Sequence, residues 1–556
     1  MRNLLKTDAI GEFVRFMGRQ GNRGSVMWKC NKYYAAFIMI LFFQLAIIVY
    51  FGFQKENLHI DEYFSYYSTS DNDFYIGLKD GDWNKGSIML DKCIVDEEHR
   101  FDYQNVYEME SKDVHPPLYY YFLHTICSVF HGNFTKWTGL GLNIFFFVIS
   151  CFLLGKITWI VSRENLNLTV TVNAFYGLNP AVISGIMFIR MYMLLSVFIL
   201  LFTYFHLRIV REQYRITGRD FVYITMTSLG GFLTHYYFIV YAAIFSLIFG
   251  LNIAFKRKKL KESAIILGAA VLGAGLAVWY YPACIEHIFF GYRGEGAKNA
   301  FFDMSNTMYR LRYVTHMMSK IAFNNKLKEL FIVEIIGLAA AGVSFYKRKK
   351  EKPASCLLRN SEFITIIIST LGYCFVTSKT SLLNEDETIR YTLPVYGLLF
   401  LVLLYIAFAA IYYLAADGKA RTICTTLLAA GFLILNICGL KGGKVLYLYQ
   451  DAAERITVAD AHSDAAAILI HGDGGWMWEI AGELEKYETF YSVYEQNIEV
   501  INDEKIQRAD TLMVYVDYTN PDNIQQSIDM VLESNKKVKS YHKLFTTKFF
   551  EIYLFE

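Results

Sequence analysis

The chain has almost no net charge, no cysteine spacing that predicts a framework and no predicted cleavable leader, and each absence excludes a class of protein. Its 54 Lys and Arg residues nearly balance 52 Asp and Glu residues, so the formal charge of +2 creates no overall field directed at nucleic acid. The 9 cysteines are scattered without metal-ligand spacing, so neither a zinc site nor a disulfide framework is predicted. The first apolar run begins near Tyr33, is too long for a signal-peptide core and lacks a small-residue cleavage site.

Apolar residues are abundant, since 54% of the chain is hydrophobic and 17% is aromatic. Uncharged runs of about 18–25 residues recur, which is the length that crosses the hydrocarbon core of a bilayer. Residues after about 445 have the composition of a soluble domain. The predicted fold class is therefore an all-α polytopic membrane protein with a small C-terminal α/β domain. Its predicted parts are a cytoplasmic segment 1–32, a transmembrane domain 33–440 with a long first outer loop 55–136, and an extracytoplasmic soluble domain 441–556.

Clusters of Lys and Arg predict the topology, because cytoplasmic loops are enriched in both residues. About eleven spans place every basic cluster inside, and the first loop and the C-terminal domain outside. The segment His115 to Phe130 is rather short for a span and rich in aromatic residues, so we expect a helix at the outer interface. The spans are predicted at 33–54, 137–160, 168–188, 191–209, 221–237, 238–255, 264–283, 329–346, 361–378, 390–414 and 421–440.

The C-terminal domain alternates short apolar runs with helical patterns, which is typical of a small α/β domain. The glycine-rich stretch His471 to Gly475 is interpreted as a plain turn, because no Gly-x-Ser-x-Gly nucleophile elbow accompanies it. Apolar runs lie at Ala465 to His471, Thr511 to Val516 and Phe549 to Phe555, and helical patterns lie at Trp476 to Lys486 and Asn523 to Ser534.

Two adjacent carboxylates, Asp61 and Glu62, follow the first predicted span. A carboxylate at the mouth of a span has water on one side and lipid on the other. That setting suits a base that acts on a polar acceptor while a second substrate stays in the membrane. The alternative interpretation of the pair is a solvated acidic turn that caps an outer helix.

Six basic residues fall on the outer side of this topology, where the positive-inside bias predicts few cations. Each has a simpler interpretation by itself, such as an Arg190 side chain that reaches back to the interface. Together, around an acidic pair, they would bind an anionic headgroup, for which phosphate is the natural choice. The six residues are His115, Arg190, His235, Arg293, Lys379 and Arg390.

With these residues the chain resembles the GT-C membrane glycosyltransferases. The resemblance is to the protein O-mannosyltransferase and aminoarabinose-transferase superfamily, including its bacterial RgtA/B/C/D-like members, and it covers roughly residues 30–415. The matching motifs are Asp61-Glu62 after the first span, His115-Pro116-Pro117-Leu118-Tyr119-Tyr120, Arg190-Met191-Tyr192, Thr234-His235-Tyr236-Tyr237 and Arg390-Tyr391-Thr392-Leu393-Pro394.

The resemblance implies a polyprenyl-phosphate-linked sugar donor and inverting transfer to a hydroxyl on the extracytoplasmic face of the cell membrane. Asp61 would be the general base. Glu62 would either tune Asp61 by like-charge repulsion or hold the acceptor, and both roles stay open. The acceptor would be a glycan, a lipid-linked hydroxyl or a protein hydroxyl. The six outer basic residues would bind the donor phosphate, and Tyr192, Tyr236 and Tyr391 would contact substrate.

The chain departs from the family pattern at two places. Part of the family has a second acidic residue in the loop that here reads Phe188 to Tyr192, without an acid. Aminoarabinose transferases have Lys where this chain has His115. These departures leave the sugar and the acceptor open. No cofactor is indicated by the sequence. A divalent metal is compatible with it, but no residue pattern indicates one.

Two other classes of protein remain as alternatives. A flippase or transporter would place ionisable groups near the middle of the membrane, often in two repeated halves, and the sequence has no internal repeat. A lipid-linked polysaccharide polymerase or ligase would take a lipid diphosphate oligosaccharide and would lack the early Asp-Glu loop.

Overall fold

The computed structural model describes residues 23–71, 76–347, 361–415, 417–472, 475–519 and 522–556. Two compact units share the chain. The first comprises residues up to Tyr50, Asn143–Ile186 and Met191–Leu446, and the second comprises Phe51–Leu142, Met187–Arg190 and Tyr447–Glu556. Of the predicted cytoplasmic segment, residues 1–22 lie outside the described residues, as do Asp473 and Gly474 of the glycine-rich turn.

The first unit is helical, because its long runs of Leu, Phe, Ile and Ala have few interruptions. Asn165 and Asp417 are N-caps whose side chains accept hydrogen bonds from the first turns of their helices. Its helices are Arg23–Phe53, Lys136–Val161, Leu166–Gly177, Pro180–Met187, Tyr192–Arg211, Gly218–Thr234, Tyr237–Leu251, Leu260–Tyr280, Ala283–Phe289, Tyr292–Phe302, Thr307–Ala322, Leu327–Lys347, Ser361–Thr380, Tyr396–Leu414 and Gly418–Lys441. The end of the first helix and the start of the second belong to the second unit. A π-helical turn, Asn252–Lys256, and two 3-10 turns, Glu385–Tyr391 and Leu393–Val395, complete the unit.

Among the described residues, 8 helices are long and apolar enough to cross a membrane. They are Ala35–Phe53, Lys136–Val161, Tyr192–Arg211, Tyr237–Lys256, Leu260–Tyr280, Ser361–Thr380, Leu393–Leu414 and Gly418–Lys441. The count of eleven spans stays a prediction. The predicted span 168–188 is divided into Leu166–Gly177 and Pro180–Met187, because Pro180 has no backbone N–H to continue the first helix.

The second unit combines the segment predicted as the first outer loop with the C-terminal tail. Its helix Leu118–Val129 has 12 residues and is not among the helices long enough to cross a membrane. Its other helices are Ile60–Ser70, Ile88–Asp91, Tyr103–Lys112, Ala452–Ala461, Ala481–Leu484, Glu504–Arg508 and Asn523–Ser534, with 3-10 turns at Gly475–Ile480 and Glu495–Asn497.

A six-stranded mixed sheet forms the core of the tail, in the strand order β1-β3-β2-β4-β6-β5. The strands are β1 Asp82–Lys85, β2 Ala466–His471, β3 Thr489–Tyr494, β4 Leu512–Asp517, β5 Tyr541–Thr546 and β6 Phe550–Phe555. Strands β3, β2 and β4 are parallel, and the other pairs are antiparallel. The predicted strands at β2, β4 and β6 and the predicted helix Asn523–Ser534 are confirmed. The central strands β2 and β4 are continuous apolar runs, as is typical of buried parallel strands.

The sheet and the predicted first outer loop pack together within the second unit. Strand β1 belongs to the loop and pairs with β3, where Trp83 lies opposite Tyr491. Trp478 of the tail is almost fully buried and stacks on Tyr63, with ring centroids 5.3 Å apart. Because Tyr63 belongs to the helix Ile60–Ser70, the tail supports the helix that carries Asp61 and Glu62.

Candidate functional site in the second unit

Asp61 lies in the first turn of the helix Ile60–Ser70, which we call the Asp61 helix. His59 is its N-cap, and the ring Nδ1 accepts a hydrogen bond of 2.9 Å from the backbone N–H of Asp61. The side chain of Asp61 is 33% exposed, and its Oδ2 lies 3.8 Å from His59 Nδ1. Carboxylates are stabilised at helix N-termini by the helix dipole. The position therefore favours an ionised, solvent-accessible carboxylate.

Glu62 has a different environment, although it is the next residue. Its side chain is fully buried, and Oε2 accepts from Lys55 Nζ at 2.8 Å and from the backbone N–H of His59 at 2.6 Å. Its Oε1 accepts from the backbone N–H of Ile189 at 2.7 Å. Lys55 Nζ also donates to the carbonyl of Tyr447 at 2.7 Å. Glu62 and Lys55 therefore tie two distant segments of the chain, at Ile189 and at Tyr447, to the start of the Asp61 helix.

Arg190 follows Ile189 directly, so the bond from Ile189 to Glu62 fixes its backbone beside the Asp61 helix. Its Nη1 donates to the carbonyl oxygen of Asp61 at 3.0 Å and to Ser65 Oγ at 3.1 Å. Its Nη2 lies 3.2 Å from Nε2 of His115. The structure thus brings together three of the residues predicted from the sequence, namely Asp61, Arg190 and His115.

His115 is held between Arg190 and Asp113. Its Nδ1 lies 2.6 Å from Asp113 Oδ2. Burial and the neighbouring guanidinium of Arg190 lower the pKa of His115, which favours a neutral imidazole near pH 7. Burial by itself would raise the pKa of Asp113, but His115 and Arg190 outweigh it and lower that pKa to about 2. Asp113 is therefore a carboxylate at any physiological pH.

Glu110 completes this group and was not anticipated from the sequence. Its side chain is fully buried, and neither carboxylate oxygen has a hydrogen-bond partner among the described residues. Burial, reinforced by the charge of Asp113, raises the pKa of Glu110 well above its usual value, against the effects of Ser68 and Arg190. One ligand atom from each of Glu110, Asp113 and His115 lies within 4.8 Å of the others. We call these three residues the Glu110 cluster.

Sequence reasoning missed Glu110, Asp113, Lys55 and Ser65. For the first two a signal was present, because an acid, an acid and a histidine follow one another at the end of the helix Tyr103–Lys112 with spacings of three and two residues. Lys55 and Ser65 carry no sequence signal, since their roles depend on contacts with Tyr447 and Arg190 that are distant along the chain.

The first unit contains the other predicted residues, and some of them form an aromatic cluster. The ring of Tyr192 lies 5.7 Å from that of His235 and 5.9 Å from that of Tyr391. Arg390 Nη2 donates to the hydroxyl of Tyr391 at 3.3 Å, and its guanidinium lies 5.1 Å from the centre of that ring. Four predicted residues are thus neighbours within this unit.

The remaining predicted residues of the first unit have separate environments. Lys379 is buried, and its ammonium donates to the carbonyl of Asp303, to Asn306 Oδ1 and to Thr307 Oγ1 at 2.6–2.9 Å. Its three donors therefore connect two helices. The hydroxyl of Tyr236 lies 2.9 Å from His287 Nδ1, and Arg293 is exposed.

No protein-family model matches the chain, and neither does any curated protein. Among solved structures it is similar to ArnT from Cupriavidus metallidurans bound to undecaprenyl phosphate, with 11% identity and a TM-score of 0.46 over 96% of this chain and 98% of that chain. It is also similar to the archaeal oligosaccharyltransferase AglB from Archaeoglobus fulgidus in complex with an inhibitory peptide and a dolichol-phosphate. There the identity is 10% and the TM-score 0.44, over 88% of this chain and 70% of that chain. ArnT is an aminoarabinose transferase.

Proposed function

We propose that the chain transfers a sugar from a polyprenyl-phosphate donor to a hydroxyl acceptor, with Asp61 as the general base. The observation that carries the proposal is the contrast within the acidic pair. Glu62 is fully buried and bonded to three donors, whereas the Asp61 carboxylate is partly exposed at the start of its helix. Asp61 is thus the member of the pair that an acceptor hydroxyl can reach.

In the proposed reaction the acceptor oxygen attacks the anomeric carbon as its proton passes to an Asp61 carboxylate oxygen. The bond from the anomeric carbon to the phosphate oxygen breaks on the opposite face, which inverts the configuration. A lipid phosphate is already a good leaving group, so the site has to stabilise the negative charge that develops on it. The guanidinium of Arg190 is the fixed positive charge beside Asp61, held there by the Asp61 carbonyl and by Ser65.

Glu62 contributes to the proposed site as an anchor. Its bond to the backbone of Ile189 aligns Arg190 with the Asp61 helix, and its ion pair with Lys55 holds the start of the tail through the Tyr447 carbonyl. We propose this role in place of the two that the sequence leaves open, because the Glu62 carboxylate is fully buried and accepts hydrogen bonds from Lys55, His59 and Ile189.

We place the reaction on the extracytoplasmic face of the cell membrane, together with the second unit. The prediction from the distribution of Lys and Arg supports this placement. A reporter enzyme that is active only outside the cytoplasm, fused after Glu556, tests it. The placement would be contradicted if this reporter is inactive while a second reporter, active only in the cytoplasm, is active at the same position.

The direct test of the reaction is Asp61→Asn in the full-length protein. General-base catalysis contributes about 10²- to 10⁴-fold, so the rate of sugar transfer should fall by that factor while the helical circular dichroism stays unchanged. The measurement is transfer of label from a polyprenyl-phosphate sugar, with the donor and acceptor identified by mass spectrometry of cell-envelope glycans from cells with and without the protein.

Glu56→Gln is the matched control, because Glu56 is an exposed carboxylate five positions earlier in the same segment. It removes the same charge and should transfer sugar at the rate of the unaltered protein. An Asp61→Asn protein that keeps more than a tenth of the activity would remove Asp61 from the role of base.

A further inference from the structure

Glu110 is the one carboxylate in the described part of the second unit that combines full burial with two unbonded oxygens. An ionised carboxylate without a partner is costly to bury, and buried carboxylates in proteins are normally paired, hydrogen-bonded or bound to a metal. Arg190 and Ser68 lie near enough to affect it electrostatically, but neither bonds either oxygen within normal geometry. The described residues therefore provide no hydrogen-bond donor for either carboxylate oxygen of Glu110.

We propose that Glu110, Asp113 and His115 bind a divalent first-row transition-metal ion. Their ligand atoms lie within 4.8 Å of one another. Metal–ligand bonds of about 2.0–2.2 Å place ligand atoms about 3–4.4 Å apart around one ion, so small side-chain movements bring all three into coordination.

The donor set selects the class of ion. Two carboxylates suit hard cations, and one imidazole favours Mn²⁺, Fe²⁺ or Zn²⁺ over Mg²⁺ or Ca²⁺. In the present arrangement His115 Nδ1 lies 2.6 Å from Asp113 Oδ2, and an ion bound by both atoms would take the place of the contact between them.

Charge balance also favours a cation at this position. The Glu62 carboxylate is compensated by Lys55, which leaves Arg190 as the fixed cation beside Asp61, Asp113 and Glu110. Two carboxylates and one neutral imidazole, once an ion has displaced their protons, contribute about two negative charges, which a divalent ion neutralises. Arg190 lies on the side of His115, with Nη2 at 3.2 Å from Nε2, so the ion and the guanidinium would flank the same ring.

If the proposed transfer reaction is correct, the ion and Arg190 would act on the same group. A metal ion accepts a phosphate oxygen as a ligand and stabilises the charge that develops there as the donor bond breaks. This role rests on the proposed function, whereas the binding of the ion does not.

The test uses the full-length protein in detergent, stripped with EDTA and desalted, without donor or acceptor. Mn²⁺ is added, and the unbound ion is measured by electron paramagnetic resonance. We expect one saturable site, with nitrogen hyperfine coupling from the His115 imidazole in the bound spectrum. Glu110→Gln should weaken binding at least about 10-fold, and His115→Gln should remove the nitrogen coupling.

Glu108→Gln is the matched control, because Glu108 is an exposed glutamate on the same helix, two positions from Glu110. Its affinity for Mn²⁺ should equal that of the unaltered protein. The proposal is overturned if neither Mn²⁺ nor Zn²⁺ binds below 1 mM, if Glu110→Gln binds as tightly as Glu108→Gln, or if the nitrogen coupling survives in His115→Gln. Since Asp61 is not a ligand, Asp61→Asn should bind Mn²⁺ normally, which separates failure of the metal site from failure of the transfer reaction.

Discussion

Glu62 and Glu110 are both fully buried glutamates of the second unit, and their surroundings differ in every other respect. Glu62 accepts three hydrogen bonds, one of them from the ammonium of Lys55. Glu110 accepts none from the described residues, and its nearest charged neighbours are a carboxylate and a shared guanidinium. Burial alone therefore does not define the role of a carboxylate. The partners distinguish a group that holds the fold from a group with capacity for a ligand.

The largest effect should come from breaking the Lys55–Glu62 pair. Removing one partner of a buried ion pair leaves the other charge uncompensated and costs about 3–5 kcal/mol. We expect Glu62→Gln to lower the free energy of unfolding by that amount, measured by urea denaturation of the purified protein in detergent and EDTA. Glu56→Gln, at an exposed site, should change it by less than about 0.5 kcal/mol. A loss below about 1 kcal/mol in Glu62→Gln would show that the pair does not anchor the unit.

A smaller effect is expected at Asp113, which bonds His115 at the edge of the Glu110 cluster. The side chains of Asp113 and His115 are 35% and 22% exposed, so water replaces part of the lost interaction. Asp113→Asn should therefore lower the free energy of unfolding by about 1 kcal/mol in EDTA, under the same denaturation conditions. A loss as large as that of Glu62→Gln would mean that the two regions do not differ as described.

The smallest effect should come from Glu110 itself when no metal is present. Because no described protein group hydrogen-bonds its carboxylate within normal geometry, Glu110→Gln removes only opposing electrostatic effects of Asp113, Ser68 and Arg190, and it keeps the volume of the side chain. We expect a change within about 0.5 kcal/mol in EDTA. With excess Mn²⁺ the unaltered protein should become more resistant to urea and Glu110→Gln should gain less resistance, because a ligand stabilises the folded state according to its affinity. A loss above about 2 kcal/mol in EDTA would make Glu110 a structural residue.

Regular elements were accessible from the sequence because they depend on local patterns. Apolar runs of the right length gave the long helices, and short apolar runs between turns gave β2, β4 and β6. The span predicted at 168–188 is two helices in the structure. Its apolar composition continues on both sides of Pro180, so the break is not visible in the hydropathy. The edge strand β1 was also missed, since Asp82–Lys85 is polar and becomes a strand only by pairing with β3.

The candidate site was accessible in part for the same reason. Asp61, His115 and Arg190 stand in motifs that can be read along the chain, and the structure places them in one cluster. The sequence predicts a shared role for Glu62 and Asp61 because the two are adjacent. Successive residues of a helix point about 100° apart, so their side chains enter different environments, which the pair of residues alone does not predict.

The sequence by itself determined that the chain has membrane-length helices, a small α/β tail and an acidic pair after the first span, because these depend on local composition and periodicity. Only the tertiary structure decided that the predicted first outer loop and the tail form one compact unit. It also decided that Glu62 bonds Lys55 and Ile189, whereas Glu110, beside Asp113, accepts no hydrogen bond from the described residues. The reason is physical. Whether a buried charge is compensated depends on groups that come into contact only after folding, and their positions along the chain do not predict that contact.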